Sequence, residues 1–139
     1  MGKLRHIAIA VRDLEEAAKF YEEAFEMERV RQSDVAIMMS DGVVSLAILD
    51  IKKNNNAEDE RGNDFVGIHH LGFLVDDIEE GALAVENAGG IYHGQVKNVG
   101  KGPKYERKYR DLNGIVFDVA VADHARTSWC LDTEQAPNK

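Results

Sequence analysis

The sequence predicts an α+β fold made of two βαβββ modules within one domain. Three observations predict it: an ungapped internal repeat, a capped amphipathic helix in each copy, and three strand-like runs after each helix.

The repeat sets LRHIAIAVRDLEEAAKFYEEA over IHHLGFLVDDIEEGALAVENA at a constant offset of 64 residues. His6 falls on His70, Val11 on Val75, Asp13 on Asp77, Glu16 on Glu80 and Ala24 on Ala88. Each copy opens with strand alternation, Ile7, Ile9 and Val11 in one and Leu71, Phe73 and Val75 in the other, which predicts a face covered by a helix. The opposite faces then carry His6, Ala8 and Ala10, and His70, Gly72 and Leu74.

Asp13 and Asp77 are good N-caps, each with a glutamate three residues on, so both helix starts match a capping box. Small and apolar residues recur behind them at helical spacing: Leu14, Ala17, Ala18, Tyr21 and Ala24, then Ile78, Gly81, Ala82, Val85 and Ala88. Gly89-Gly90 ends the second helix. MERVRQ, VAIMMS and VVSLAILDI read as the three strands of the first copy, with a hairpin at Asp41-Gly42. IYHGQVKNV, YERKYRD and IVFDVAVA supply the second set, with a turn at Asn113-Gly114. Module one is assigned to 3–53, a polar linker to 54–66 and module two to 67–123, inside one domain of 1–125. Residues 126–139 read as a C-terminal tail.

The chain has 139 residues, 44% of them apolar, enough for one core. A net charge of −8 argues against nucleic acid or a membrane surface as partner. The lone Cys130 excludes an internal disulfide, and the N-terminal apolar run is too short for a signal or a membrane span; both point to a cytoplasmic protein.

Two histidines at matching strand positions, each flanked by small residues on its own face, suggest a shared cavity; two satisfied structural histidines are the alternative. His69 should point to the opposite face by the two-residue strand period. His93 and His124 are expected at the surface. In KGPKYERKYRD, Lys104, Glu106, Lys108 and Arg110 share one strand face and Tyr105, Arg107 and Tyr109 the other. The second face is taken as the pocket side, with Arg107 and Tyr109 as candidate catalytic groups and Tyr105 as a substrate contact. A solvated edge strand would explain the same pattern. Of Met38 and Met39, which straddle one strand, Met38 is assigned to the substrate side.

LRHIAIAVRDLEEAAKFYEEAF, IHHLGFLVDDIEEG and DLNGIVFDV, in that order and spacing, resemble the vicinal-oxygen-chelate superfamily. That superfamily includes glyoxalase I, methylmalonyl-CoA epimerase, extradiol dioxygenases, and the fosfomycin and bleomycin resistance proteins. The closing segment resembles its Asp-Pro-Asp-Gly-Asn-x-x-Glu motif. The resemblance covers residues 3 to about 122 and implies a glyoxalase-like fold, two half barrels around one concave site, and a homodimer. It assigns His6 and His70 as metal ligands, and Asp118, four residues past Gly114, as the carboxylate ligand where the family has Glu. The fourth ligand position falls within Ser45-Leu46-Ala47, which offers no strong ligand, so Ala47 is assigned to the substrate wall.

Two imidazoles and a carboxylate suit Fe(II), Mn(II), Zn(II) or Ni(II). An Asp in place of Glu retreats by roughly 1.3 Å, far beyond the ~0.2 Å a metal bond tolerates, which predicts a backbone shift or a bridging water. The expected function is therefore a metal-dependent lyase, isomerase or dioxygenase acting on a small oxygenated metabolite. A metal-free binding protein of the bleomycin-resistance kind is the alternative. A regulatory module, with Trp129 of the tail packing on a partner, is a third reading.

Overall fold

Two aspartates start the two long helices of the computed structural model, which describes residues 2–53, 64–93 and 106–131. Asp13 and Asp77 are extended, and their carboxylates accept the amide hydrogens of Glu16 and Glu80 at 2.9 Å, opening α1 (Leu14–Phe25) and α2 (Ile78–Asn87) where the sequence places them. Tertiary packing then takes over from the caps. Ala18 of α1 packs with Ile37, Met39 and Ile48, and Ala82 of α2 packs with Tyr109 and Val119.

The strands are β1 (Lys3–Val11), β2 (Glu28–Gln32), β3 (Ala36–Ser40), β4 (Ser45–Asp50), β5 (Gly67–Leu74), β6 (Ile91–Tyr92), β7 (Glu106–Arg110) and β8 (Val116–Ala120). Among the described residues they form one open, mixed sheet in the order β2-β3-β4-β1-β5-β8-β7-β6. Four neighbouring strands come from each module. Within a module the first strand runs parallel to the last, β1 to β4 and β5 to β8, and the modules join through antiparallel β1 and β5. At that seam His6 lies opposite Gly72 and Ala8 opposite His70, a pseudo-twofold arrangement. The expected α+β fold of two βαβββ modules is what the chain adopts, as a curved sheet left open rather than a closed barrel.

The helices cover one face of the sheet. The other face carries Ala8, Ala10, Met38, Ala47, Leu49 and Ile51, so Met38 lies on the histidine side and Met39 under α1. Most of the expected linker, residues 54–63, and Tyr105 lie outside the described residues. No helix among those described is long and apolar enough to cross a membrane.

Two local readings change. A register shift between Ala8 and Ile9 pairs Ala8 with His70 and Ile9 with Ile68, which leaves His69 as an extra residue in β5. Such a bulge suspends the two-residue alternation. His69 is therefore buried beside His70, their Nδ1 atoms 2.7 Å apart, instead of pointing to the far face.

The second change concerns the C-terminal segment. Residues 122–127 form a short helix, α3, and the chain beyond it to Leu131 folds back, burying Ala125, Trp129 and Leu131 against Ala120. Arg31 of β2 fastens this segment by donating to the carbonyls of Thr127 and Ser128 at 2.8 and 3.1 Å. Over residues 126–131 the segment expected as a tail is thus packed structure, and Trp129, 3% exposed, is not available to a partner.

Candidate metal centre

His6 stands on β1 with its Nδ1 3.2 Å from the hydroxyl of Ser45, its partner on β4. In the tautomer with the proton on Nδ1 the hydroxyl accepts it and the lone pair lies on Nε2, the state a metal ligand requires. Burial works the same way: it lowers the pKa of His6 to about 3, with the nearby His70 adding to the effect. His6 is therefore a neutral imidazole at any pH near 7.

Its Nε2 lies 3.3 Å from Nε2 of His70, and that same His70 nitrogen lies 3.2 Å from Oδ2 of Asp118. Metal bonds of about 2.1 Å separate adjacent ligands by roughly 3.0 Å in an octahedron and 3.4 Å in a tetrahedron. Both edges fall in that span, and all three ligand atoms lie within 4.8 Å of one another. Parallel pairing sets Asp118 opposite Gly72, and its carboxylate reaches His70 directly. Ala47, paired with Ala8 on β4, holds the equivalent place in module one and offers no donor.

Burial opposes ionisation of Asp118, yet His70 and Lys108 outweigh it and hold the carboxyl well below the usual carboxylate range. The Lys108 ammonium donates to Asp118 Oδ1 at 2.6 Å and lies 4.0 Å from Glu106 Oε1. Glu106 is in turn 3.0 Å from Nε2 of His124, and burial followed by the Asp118 charge pushes its pKa up. His124 meets the edge of Trp129 (5.7 Å, 87°), and Trp129 stacks flat on His6 (4.8 Å, 2°). Seven side chains thus form a closed circuit: His6, His70, Asp118, Lys108, Glu106, His124 and Trp129.

The sequence reading chose the wrong face of β7. Lys108 pairs with Asp118 across the hairpin, which puts Glu106 and Lys108 on the site face and sends Arg107 and Tyr109 to the helix side. There Arg107 donates to Glu79 at 2.5 Å, and Tyr109 packs against Ala82 and Val119 and stacks on Phe117. Neither touches the cluster of His6, His70 and Asp118. The reason is the length of the turn. A two-residue loop at Asn113-Gly114 would set residue 109 opposite 118. Instead Asp111 and Ile115 close a three-residue loop, with the Asp111 carboxylate accepting from the Asn113 and Ile115 amides and Gly114 at φ 80. One extra residue flips every side chain of β7.

His124 also departs from expectation, being 2% exposed within the circuit rather than on the surface. Ser45, Lys108, Glu106 and Trp129 were missed for a common reason. Each owes its place to pairing or packing across the sheet, and only Lys108 and Glu106 left a trace in the sequence, as charged residues on a strand face.

Residues 3–119 match the family model of the glyoxalase/bleomycin resistance protein/dioxygenase superfamily. No curated protein sequence matches the chain. Among solved structures, a hypothetical protein of Bacillus halodurans superposes with a TM-score of 0.66 at 20% identity, over 86% of this chain and 94% of that one. A variant of methylmalonyl-CoA epimerase from Streptomyces coelicolor gives 0.61 at 18%, over 97% and 98% of the two chains. The Mycobacterium tuberculosis methylmalonyl-CoA epimerase gives 0.57 at 19%, over 85% and 86%.

Proposed function

Because the chain belongs to the glyoxalase/bleomycin resistance protein/dioxygenase superfamily, we propose that it is a divalent-metal-dependent lyase, isomerase or dioxygenase, with His6, His70 and Asp118 holding the metal. The observation that carries this reading is the convergence of two imidazole nitrogens and a carboxylate oxygen at 3.3 and 3.2 Å, the spacing of adjacent ligands around one ion. A metal held by these three residues would act as a Lewis acid toward the oxygens of a small substrate.

The protein's own part is orientation and dryness. Ser45 holds Nδ1 of His6, Lys108 occupies one oxygen of Asp118 so that the other faces His70, and Ala8, Ala10, Ala47 and Met38 form an apolar wall beside the histidines. A methylmalonyl-CoA epimerase with this fold has been solved with methylmalonyl-CoA, and a metal beside such a wall would ease loss of the proton on the carbon next to a carbonyl by holding the carbonyl oxygen.

A metal-free binding protein is supported by one specific observation. Lys108 already compensates the Asp118 charge with a resident cation. Metal content of purified protein after incubation with Fe(II), Mn(II), Zn(II) or Ni(II), beside His6→Ala and His70→Ala, separates the two. The enzyme reading expects one equivalent of metal in the parent and its loss in both variants. A parent that stays empty in all four metals leaves the binding protein.

A further inference from the structure

We propose that Trp129 is a positioning residue of the metal centre, its indole fixing the ring plane of His6 so that Nε2 stays aimed at the ion. This rests on the metal reading above and adds a residue that no ligand pattern names.

A ligating histidine on a strand has two side-chain torsions to restrain. The Ser45 hydroxyl holds Nδ1 at 3.2 Å, which restrains the ring within its own plane but leaves rotation out of that plane open. The indole closes that freedom by lying parallel to the imidazole, at 2° and a 4.8 Å centroid separation. Both rings use space that Gly72 leaves empty. A Cβ there would lie 2.7 Å from the Cβ of His6 and 2.8 Å from Cζ2 of Trp129, so β5 is shaped to admit the stacked pair.

The indole is itself held from three sides. His124 meets it edge-on, with Glu106 behind His124 at 3.0 Å. Ala120, Ala125 and Leu131 pack around it, and Arg31 ties the two residues before it to β2. A tryptophan resting casually on a histidine would need none of these. Partners that orient a metal-bound histidine typically carry 10- to 100-fold in metal affinity, and a few tenths of an ångström decide whether a ligand bonds.

Trp129 is the only tryptophan of the chain, so all tryptophan emission comes from the indole stacked on His6. With Co(II) as the probe, the parent protein should bind one equivalent and lose most of its tryptophan emission as the site fills. Trp129→Ala should bind Co(II) roughly tenfold more weakly with a changed visible absorption spectrum, and Trp129→Phe, which can restore the stack, should recover most of both. Stoichiometric Co(II) uptake with unchanged emission overturns the inference even if Trp129→Ala fails to fold. So does a folded Trp129→Ala with the parent's affinity and spectrum. A parent that takes up no Co(II) removes the metal reading and this inference together.

Discussion

His6 is buried with its pKa lowered to about 3, whereas in the unfolded chain it titrates near 6.5. Between those values the unfolded state binds the proton and the folded state refuses it, so stability falls as pH falls through that window, by up to about 1.4 kcal/mol per pH unit. Asp118 acts in the same direction below pH 3.8, because its folded pKa is depressed and protonation removes its attraction for Lys108 and His70. Glu106, whose folded pKa is raised above 4.5, opposes the trend in part. Urea unfolding of the protein in EDTA should therefore show a midpoint that drops steadily from pH 7 to pH 4. His6→Asn should flatten the upper part of that profile; an unchanged slope would mean that His6 is protonated in the folded state.

At the scale of elements, the site depends on how strands and the C-terminal segment register against one another. Gly72→Ala places a methyl group against both His6 and Trp129, and overpacking of this kind costs about 1–3 kcal/mol. The expected result is a lower thermal midpoint with red-shifted tryptophan emission as the indole is displaced; unshifted emission would contradict the close approach. Register also decided what the sequence could reveal. The helices and their starts were legible because Asp13 and Asp77 act on amides three residues away. The convergence of His6 and His70 was legible because the repeat aligns them, and the family motif singled out Asp118 beside them. The face of β7 was not legible, since it turns on whether the Asn113-Gly114 loop holds two residues or three. The place of His69 was lost to a bulge, and that of Trp129 to a contact with a strand more than a hundred residues earlier.

In the molecule as a whole, the circuit from His6 to Trp129 joins both modules and the C-terminal segment, so its charge balance bears on global stability. Lys108→Met strands a buried carboxylate, a change that costs about 3–5 kcal/mol in comparable pairs. A divalent ion at the site returns the missing positive charge, and a ligand bound only by the folded state raises stability with its concentration. The thermal shift on adding Zn(II) should then be larger for Lys108→Met than for the parent; equal shifts would show that no metal shares Asp118 with the lysine. Exchange the two modules, and the seam maps onto itself: His6 faces Gly72 as His70 faces Ala8, and Ala47 stands to Ala8 as Asp118 stands to Gly72. A symmetrised protein built from two copies of module two would bring two imidazoles and two carboxylates to that axis, a full set of four donors. Two copies of module one would bring imidazoles alone. The natural pairing is the hybrid, and its asymmetry leaves the Ala47 side of that axis without a donor.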